Sequence, residues 1–225
     1  KDFDKHTIIS SQDRNRLNLA GHDQILVVPN GVDHRFLETE RKAQPEFDLV
    51  FVGNLGYGPN KAAATFLVRT LLPELRRRGL QPKVLLAGAR PGKGVKKLGQ
   101  VPGVKVSGWM EDIRDAYADG RIFVAPMFSG LGLQNKILEA MATGLPCVTT
   151  SMVNNAIGAR EGTEVLVSDS TQGLADHIER LMKDPKLLNA VSVKAKQFVE
   201  TGYQWEDQVE KLEVFIASKN AYATI

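Results

Sequence analysis

Residues Phe128–Val148 read FSGLGLQNKILEAMATGLPCV. Gly130 and Gly132 make a turn free of bulky side chains, Gln134–Thr143 is a run of good helix formers, and Gly144-Leu145-Pro146 stops it. Pro146–Thr150 (PCVTT) is then a short run with no polar alternation. A loop, a helix and a strand apolar on both faces together make one repeat of a parallel α/β sheet. The helix holds one carboxylate, Glu139. At a helical period, Ile137, Leu138, Met141 and Ala142 fall on one side and Lys136, Glu139 and Thr143 on the other. That charged ridge reads either as a solvent face with a weak Lys136–Glu139 pair or as one wall of a polar pocket beginning at the glycine turn.

Outward from this unit the same alternation recurs. Strands are expected at Asp48–Val52, Lys83–Ala87, Val104–Ser107 and Ile122–Pro126 before it, and at Glu164–Ser168 after it. Helices are expected at Asn60–Arg78, with Pro73 as a kink or restart, at Asp112–Ala118, and at Thr171–Lys183 closed by Asp184-Pro185. Pro185 opens a further helix to about Glu200, ended by Gly202. Trp205–Ser218 forms an amphipathic tail with Val209, Leu212, Phe215 and Ile216 on one stripe. The order predicts a doubly wound, Rossmann-like α/β domain: a parallel sheet with helices on both faces and a C-terminal helical tail.

The first 46 residues exceed that count. They supply strand-like runs at Thr7–Ser10 and Ile25–Val28, a short helix at Gln12–Leu19, the turn-rich Pro29-Asn30-Gly31-Val32-Asp33 and a charged stretch at Glu38–Gln44. The expected division is 1–30 as the end of a preceding domain, 31–46 as a hinge, 47–204 as the main domain and 205–225 as a helix returning to the preceding domain, its stripe partly exposed here.

Composition narrows the function. A chain of 225 residues with 43% hydrophobic and 24% charged residues is globular, and a net charge of +3 carries no nucleic-acid footprint. The basic clusters Arg76–Arg78 and Arg90–Lys97 read as solvated helix ends and loops, with a peripheral contact to an anionic membrane as the alternative. A single cysteine, Cys147, excludes an internal disulfide and points to a reducing, cytoplasmic compartment, where it serves as a small buried hydrophobe. No run approaches the ~18 apolar residues that span a bilayer.

Two glycine-rich loops lie where such sheets bind ligands. Gly53-Asn54-Leu55-Gly56-Tyr57-Gly58 has the spacing G-x-x-G-x-G, which is neither the dinucleotide fingerprint nor the P-loop. Ser129-Gly130-Leu131-Gly132-Leu133 enters the Glu139 helix, and unobstructed amides at a helix start favour a phosphate. Glu139, about one turn deeper, could then accept from the two hydroxyls of a ribose while Lys136 offsets phosphate charge. His6, His22, His34 and His177 show no ligand spacing and read as structural or exposed, and Trp109 and Tyr57 as packing rather than stacking groups. No metal site is expected.

PNGVD at 29–33, FVGNL at 51–55, VKVSGWMEDI at 104–113, APMFSGLGLQNKILEAMATGLPCVTT at 125–150 and Trp205 together resemble the group 1 retaining glycosyltransferases of the GT-B fold. The resemblance implies two Rossmann-like domains across a cleft, this chain being the second, which binds a nucleotide-sugar. By position it assigns Glu139 to the donor ribose, Gly130, Gly132, Leu133 and Gln134 to the diphosphate and sugar loop, Gly53 and Asn54 to the glycine-arginine pair after the first strand, and Gly108, Trp109 and Met110 to the base. The sequence departs from the family at Leu131, where an acid is usual, at Asn54, where arginine is usual, and at Lys61, a displaced match to the family lysine. It resembles instead a subgroup with G-x-G-x-[QR]-x-K-x-L-E-A-M-A, which leaves Lys136 as the cation stabilising the departing diphosphate.

The implied function is sugar transfer from a nucleotide-sugar, with no cofactor or metal and with acceptor contacts in the other domain, so this chain alone is expected to bind donor weakly and turn over nothing. A non-enzymatic nucleotide-binding scaffold of the same fold and a sugar-nucleotide epimerase are the rival readings.

Overall fold

The computed structural model describes residues 5–17, 21, 24–130 and 132–218. Leu131, His22, the Leu19 end of the first expected helix and residues 219–225 of the tail lie outside them.

Two short strands, β1 (Thr7–Ile8) and β2 (Leu26–Val27), pair in parallel. Six more form the main sheet: β3 (Phe47–Val52), β4 (Val84–Ala87), β5 (Val104–Gly108), β6 (Gly120–Ala125), β7 (Cys147–Thr149) and β8 (Leu166–Val167). Their order is β5-β4-β3-β6-β7-β8, every pair parallel. The chain therefore winds outward from β3 through β4 to β5, then returns to the other side of β3 and winds outward again. That reversal places the topological switch point between β3 and β6, where the loops from their carboxyl ends diverge and leave a crevice. Leu49 bridges the two halves, aligned with Val84 on one side and Ile122 on the other. Phe51, Phe123, Leu86 and Val148 are fully buried, as strands covered on both faces require.

Helices follow the expected plan with instructive differences. The Asn60–Arg78 stretch divides into Gly58–Phe66, a π-helical turn Leu67–Leu71 and Leu72–Arg77. The Leu72 amide bonds to the Leu67 carbonyl. This widened turn accommodates Pro73, whose ring would clash with the carbonyl four residues back in a regular helix. Thr171–Lys183 has the expected bounds, capped by Ser170 Oγ accepting from the Gly173 amide at 3.0 Å. Asp184 caps the next helix, Pro185–Gly202, which runs through Gly202 rather than ending before it. Three α-helices too short for a periodic signal, His34–Leu37, Lys93–Lys96 and Ser151–Ile157, were absent from the sequence expectation.

Arg78 belongs to no free basic patch. It pairs with Glu74 at 2.8 Å, Asp176 at 2.5 Å and Glu179 at 3.1 Å, joining two helices, while Arg77 pairs with Glu74 and Arg76 donates to the Pro102 carbonyl. Residues 31–46 dock on the domain. Val32 is buried and its amide donates to the Tyr203 carbonyl at 2.7 Å; Arg41 donates to the Gly144 and Gly120 carbonyls, each at 2.9 Å. The returning chain crosses at the same point. A Cβ on Gly31 would lie 2.6 Å from the Trp205 backbone, so only glycine fits there. The tail, Trp205–Ala217, keeps Val209 and Ile216 exposed and Leu212 and Phe215 half-buried, and its carbonyls at Phe215 and Ile216 accept from Lys5. No described helix is long and apolar enough to cross a membrane.

Candidate functional site

Every strand of a parallel sheet ends on the same edge, so the loops after β3, β4, β5 and β6 gather there. Gly53 and Asn54 follow β3, Gly88 to Arg90 follow β4, and Trp109 and Met110 follow β5. Together with Ile113 these line a cleft of about 590 Å³. Its floor depends on close backbone approach: Gly88 has φ +132°, and a Cβ there would lie 1.9 Å from the Gly53 carbonyl oxygen. Gly108, at the end of β5, lines the adjoining cavity with Trp109. Trp109 is 72% exposed and Tyr57 53%, so neither ring is the packing group expected from its strand-end position.

Asn54 shapes its own loop. Its Oδ1 accepts from the Gly56 amide at 3.1 Å, and its carbonyl accepts from the Tyr57 amide and from Asn60 Nδ2, both at 3.0 Å. Asn60 is buried, and its Oδ1 accepts from Lys136 Nζ. The loop after β3 and the helix after β6 are thereby joined across the switch point through Asn54, Asn60 and Lys136. Gly130 lies on this junction, with Pro59 of the first loop 3.8 Å from where its Cβ would be.

The ridge of Lys136, Glu139 and Thr143 is not a solvent face. The Asn135–Ala142 helix buries Ile137, Leu138, Ala140, Met141 and Ala142 as its pattern demands, but Thr143 is buried as well and Lys136 and Glu139 are half-buried. Tyr117 covers them. Its wholly buried hydroxyl donates to Glu139 Oε2 at 2.7 Å and lies 3.2 Å from the Lys136 carbonyl. Lys136 Nζ also sits 5.5 Å from the centroid of Phe51 and 3.4 Å from Met127 Sδ. Desolvation lowers its pKa to about 8, against the attraction of Glu139. Burial likewise raises the Glu139 carboxyl, and the Tyr117 donor and Lys136 charge oppose that rise. The result is a carboxylate with one oxygen held and a depressed amine one helical turn away, between two glycine loops.

The remaining expected residues sit apart from the 590 Å³ cleft. Leu133 is buried in the core, Gln134 Nε2 donates to the Gly132 carbonyl at 3.3 Å, and the Gly132 Cα faces Ile9 and Asp13 of the N-terminal segment, 3.4 and 3.8 Å from a notional Cβ. The structure thus groups Gly53, Asn54, Trp109 and Met110 in one place and Gly130, Lys136 and Glu139 in another, linked by Asn60. Asn60, Tyr117 and Arg90 were not legible beforehand. Asn60 and Tyr117 act through contacts 76 and 22 residues away, and Arg90 stood within a basic cluster read as solvated loop. Among the described residues no three His, Cys, Asp or Glu side chains converge as metal ligands. His177 Nε2 lies 3.1 Å from the Val167 carbonyl, and Cys147 is buried, its thiol pushed up by desolvation. A separate cavity of about 710 Å³ lies beside the Pro185–Gly202 helix, lined by Arg160, Lys194 and Phe198 among others.

Known proteins resemble this chain in sequence and in fold. A Klebsiella pneumoniae protein described as an uncharacterised 44.6 kDa protein in the cps region is 24% identical over 69% of this chain and 42% of its own length. An Escherichia coli UDP-Gal:alpha-D-GlcNAc-diphosphoundecaprenol alpha-1,3-galactosyltransferase is 29% identical over 47% of this chain and 27% of its own length. The chain thus spans less than half the length of either relative. Among solved structures, Anabaena HepE in complex with UDP-glucose superposes with a TM-score of 0.75 at 15% identity, over 96% of this chain and 64% of that one. Sucrose-phosphate synthase from Thermosynechococcus elongatus superposes with a TM-score of 0.73 at 18% identity, over 94% and 58%. At such identities these structures establish the fold, one Rossmann-like half of a GT-B enzyme. Residues 46–184 match the family Glycosyl transferases group 1, and by that match, which covers more than half of its length, the chain belongs to this family of transferases.

Proposed function

We propose that the chain is the donor-binding half of a nucleotide-sugar-dependent glycosyltransferase of the retaining type, and that residues from a preceding domain supply the acceptor site. The observation that carries this reading is Glu139. A half-buried carboxylate, held at one oxygen by Tyr117 and placed just beyond a glycine loop at the switch point, suits a ribose diol, which offers two donors to one acceptor group.

Glycosyl transfer leaves a nucleoside diphosphate that gathers negative charge as the bond to the sugar breaks. Fixed positive groups aimed at that charge lower the barrier most. Lys136, held in place by Asn60, and the amides of Gly130 and Gly132 are those groups here. The turn after β5, at Gly108, Trp109 and Met110, takes the base. The names of the relatives support UDP-sugars as the first donors to try, since HepE was solved with UDP-glucose and the Escherichia coli relative is named for UDP-Gal.

A thermal-unfolding screen of nucleoside diphosphates and nucleotide-sugars tests the reading. A ligand at a hundred times its Kd stabilises the folded state by about 2.7 kcal/mol, several degrees in a domain of this size. Failure of every nucleotide to raise the midpoint would overturn the proposal, and sugar transfer by the 225-residue chain alone would overturn the assignment of the acceptor site elsewhere.

A further inference from the structure

The turn that leaves β4 contains a backbone anomaly. Among the described residues Arg90 is the one non-glycine with a positive φ, at +56°. That left-handed region suits glycine or asparagine, and a long side chain occupies it under strain. The surrounding fold imposes the conformation. The Gly88 amide is bonded to the Gly108 carbonyl at 3.0 Å, and the Ala89 carbonyl accepts from the Leu55 amide at 2.8 Å. Gly56 rests on Arg90 itself, with a notional Cβ 3.0 Å from the Arg90 carbonyl oxygen. Glycine at position 90 would meet all of these constraints without strain, and the chain nevertheless has arginine.

The side chain supplies a reason. Arg90 is exposed, and its guanidinium has no hydrogen bond or ion pair among the described residues. It lines the 590 Å³ cleft as the one charged residue there, beside Gly53, Asn54 and the exposed Trp109, and it also lines the adjoining cavity. An unpartnered guanidinium over glycine backbone is a fork matched to phosphate oxygens. Strain kept at such a place points to a retained functional constraint.

We infer that Arg90 is a ligand-binding residue whose guanidinium contacts the diphosphate of the nucleotide, held toward the cleft by a left-handed backbone that the neighbouring strands enforce. The inference rests on the donor-binding reading above and adds a cation from β4 to Lys136 from the opposite side of the switch point. Arg90 and Lys136 would then take the anion from two sides.

The test compares wild type, Arg90→Gly, Arg90→Lys and Glu139→Gln, using uridine diphosphate by calorimetry, uridine by NMR titration, and thermal midpoints. Arg90→Gly is expected to lower affinity for uridine diphosphate about tenfold or more, to leave uridine affinity unchanged, and to hold or raise the midpoint by about 2–4 °C as strain is released. Arg90→Lys keeps the charge, so part of the diphosphate affinity returns. A merely structural arginine would instead lower the midpoint and leave the diphosphate-to-uridine ratio alone, which overturns the inference. Arg90→Gly binding uridine diphosphate like wild type, while Glu139→Gln loses it, overturns the role of Arg90 and spares the donor site. Wild type binding none of the uridine, guanosine or adenosine diphosphates overturns both.

Discussion

Glu139→Gln separates binding from folding at this site. The Tyr117 hydroxyl is wholly buried and donates to Glu139 Oε2 at 2.7 Å. A carboxamide keeps an acceptor there, so the hydroxyl stays partnered, but the bond changes from charge-assisted to neutral at a cost of about 1 kcal/mol. A second effect opposes this. Burial raises the Glu139 pKa above its unfolded value, so the stability linked to its protonation is complete below the unfolded pKa and is lost as pH rises through the folded one. At pH 7 the folded protein therefore carries the charge at a cost that glutamine removes. The two effects have opposite sign, and the midpoint is expected to move by less than about 4 °C. Nucleotide affinity has no such compensation. Replacing a charged acceptor with an amide leaves ribose hydroxyls poorly matched and costs roughly 1–3 kcal/mol, about 5- to 150-fold in Kd. Calorimetric titration with uridine diphosphate, beside thermal unfolding of the same preparations, reads both quantities. Unchanged affinity in a folded Glu139→Gln variant would refute the ribose assignment, and a midpoint lowered by 10 °C would show that the carboxylate serves the fold.

Two further outcomes follow from the same contacts. Tyr117→Phe removes the donor to Glu139 Oε2 and strands a half-buried carboxylate oxygen, so stability should fall by about 1–3 kcal/mol at pH 7 and by less near pH 4, where the acid holds its own proton; thermal unfolding at the two pH values checks this. Lys136, with a folded pKa near 8 against 10.5 unfolded, releases its proton in the folded state first, so its contribution to stability rises between pH 8 and 10.5. The groups facing it are Glu139, Asn60, Met127 and Phe51. The midpoint of Lys136→Met relative to wild type should accordingly decline across that window, by up to about 3 kcal/mol in stability, and a pH-independent difference would refute the burial of the amine.

What the sequence determined by itself is local and periodic. The apolar runs at Asp48–Val52 and Ile122–Pro126 specify central strands because hydrophobic residues without alternation must be covered on both faces, and Thr171–Lys183 announced its own end through Asp184-Pro185. The glycine loops and Glu139 were visible for the same reason: residue type and spacing along one element describe them fully. Tertiary structure decided which groups meet. On a helical wheel the ridge of Lys136, Glu139 and Thr143 read either as a water-facing surface or as a pocket wall, because the wheel knows one helix and Tyr117 and Asn60 arrive from others. Trp109 and Tyr57 looked like packing groups and are exposed, because the turns that carry them project from the carboxyl edge of the sheet. The left-handed Arg90 has no sequence signal at all, since its φ is set by hydrogen bonds from the strands on either side. Periodicity encodes which face of an element avoids water; only the winding of the sheet about β3 and β6 brings distant polar groups to one edge, and there the charges take their shifted pKa values from burial.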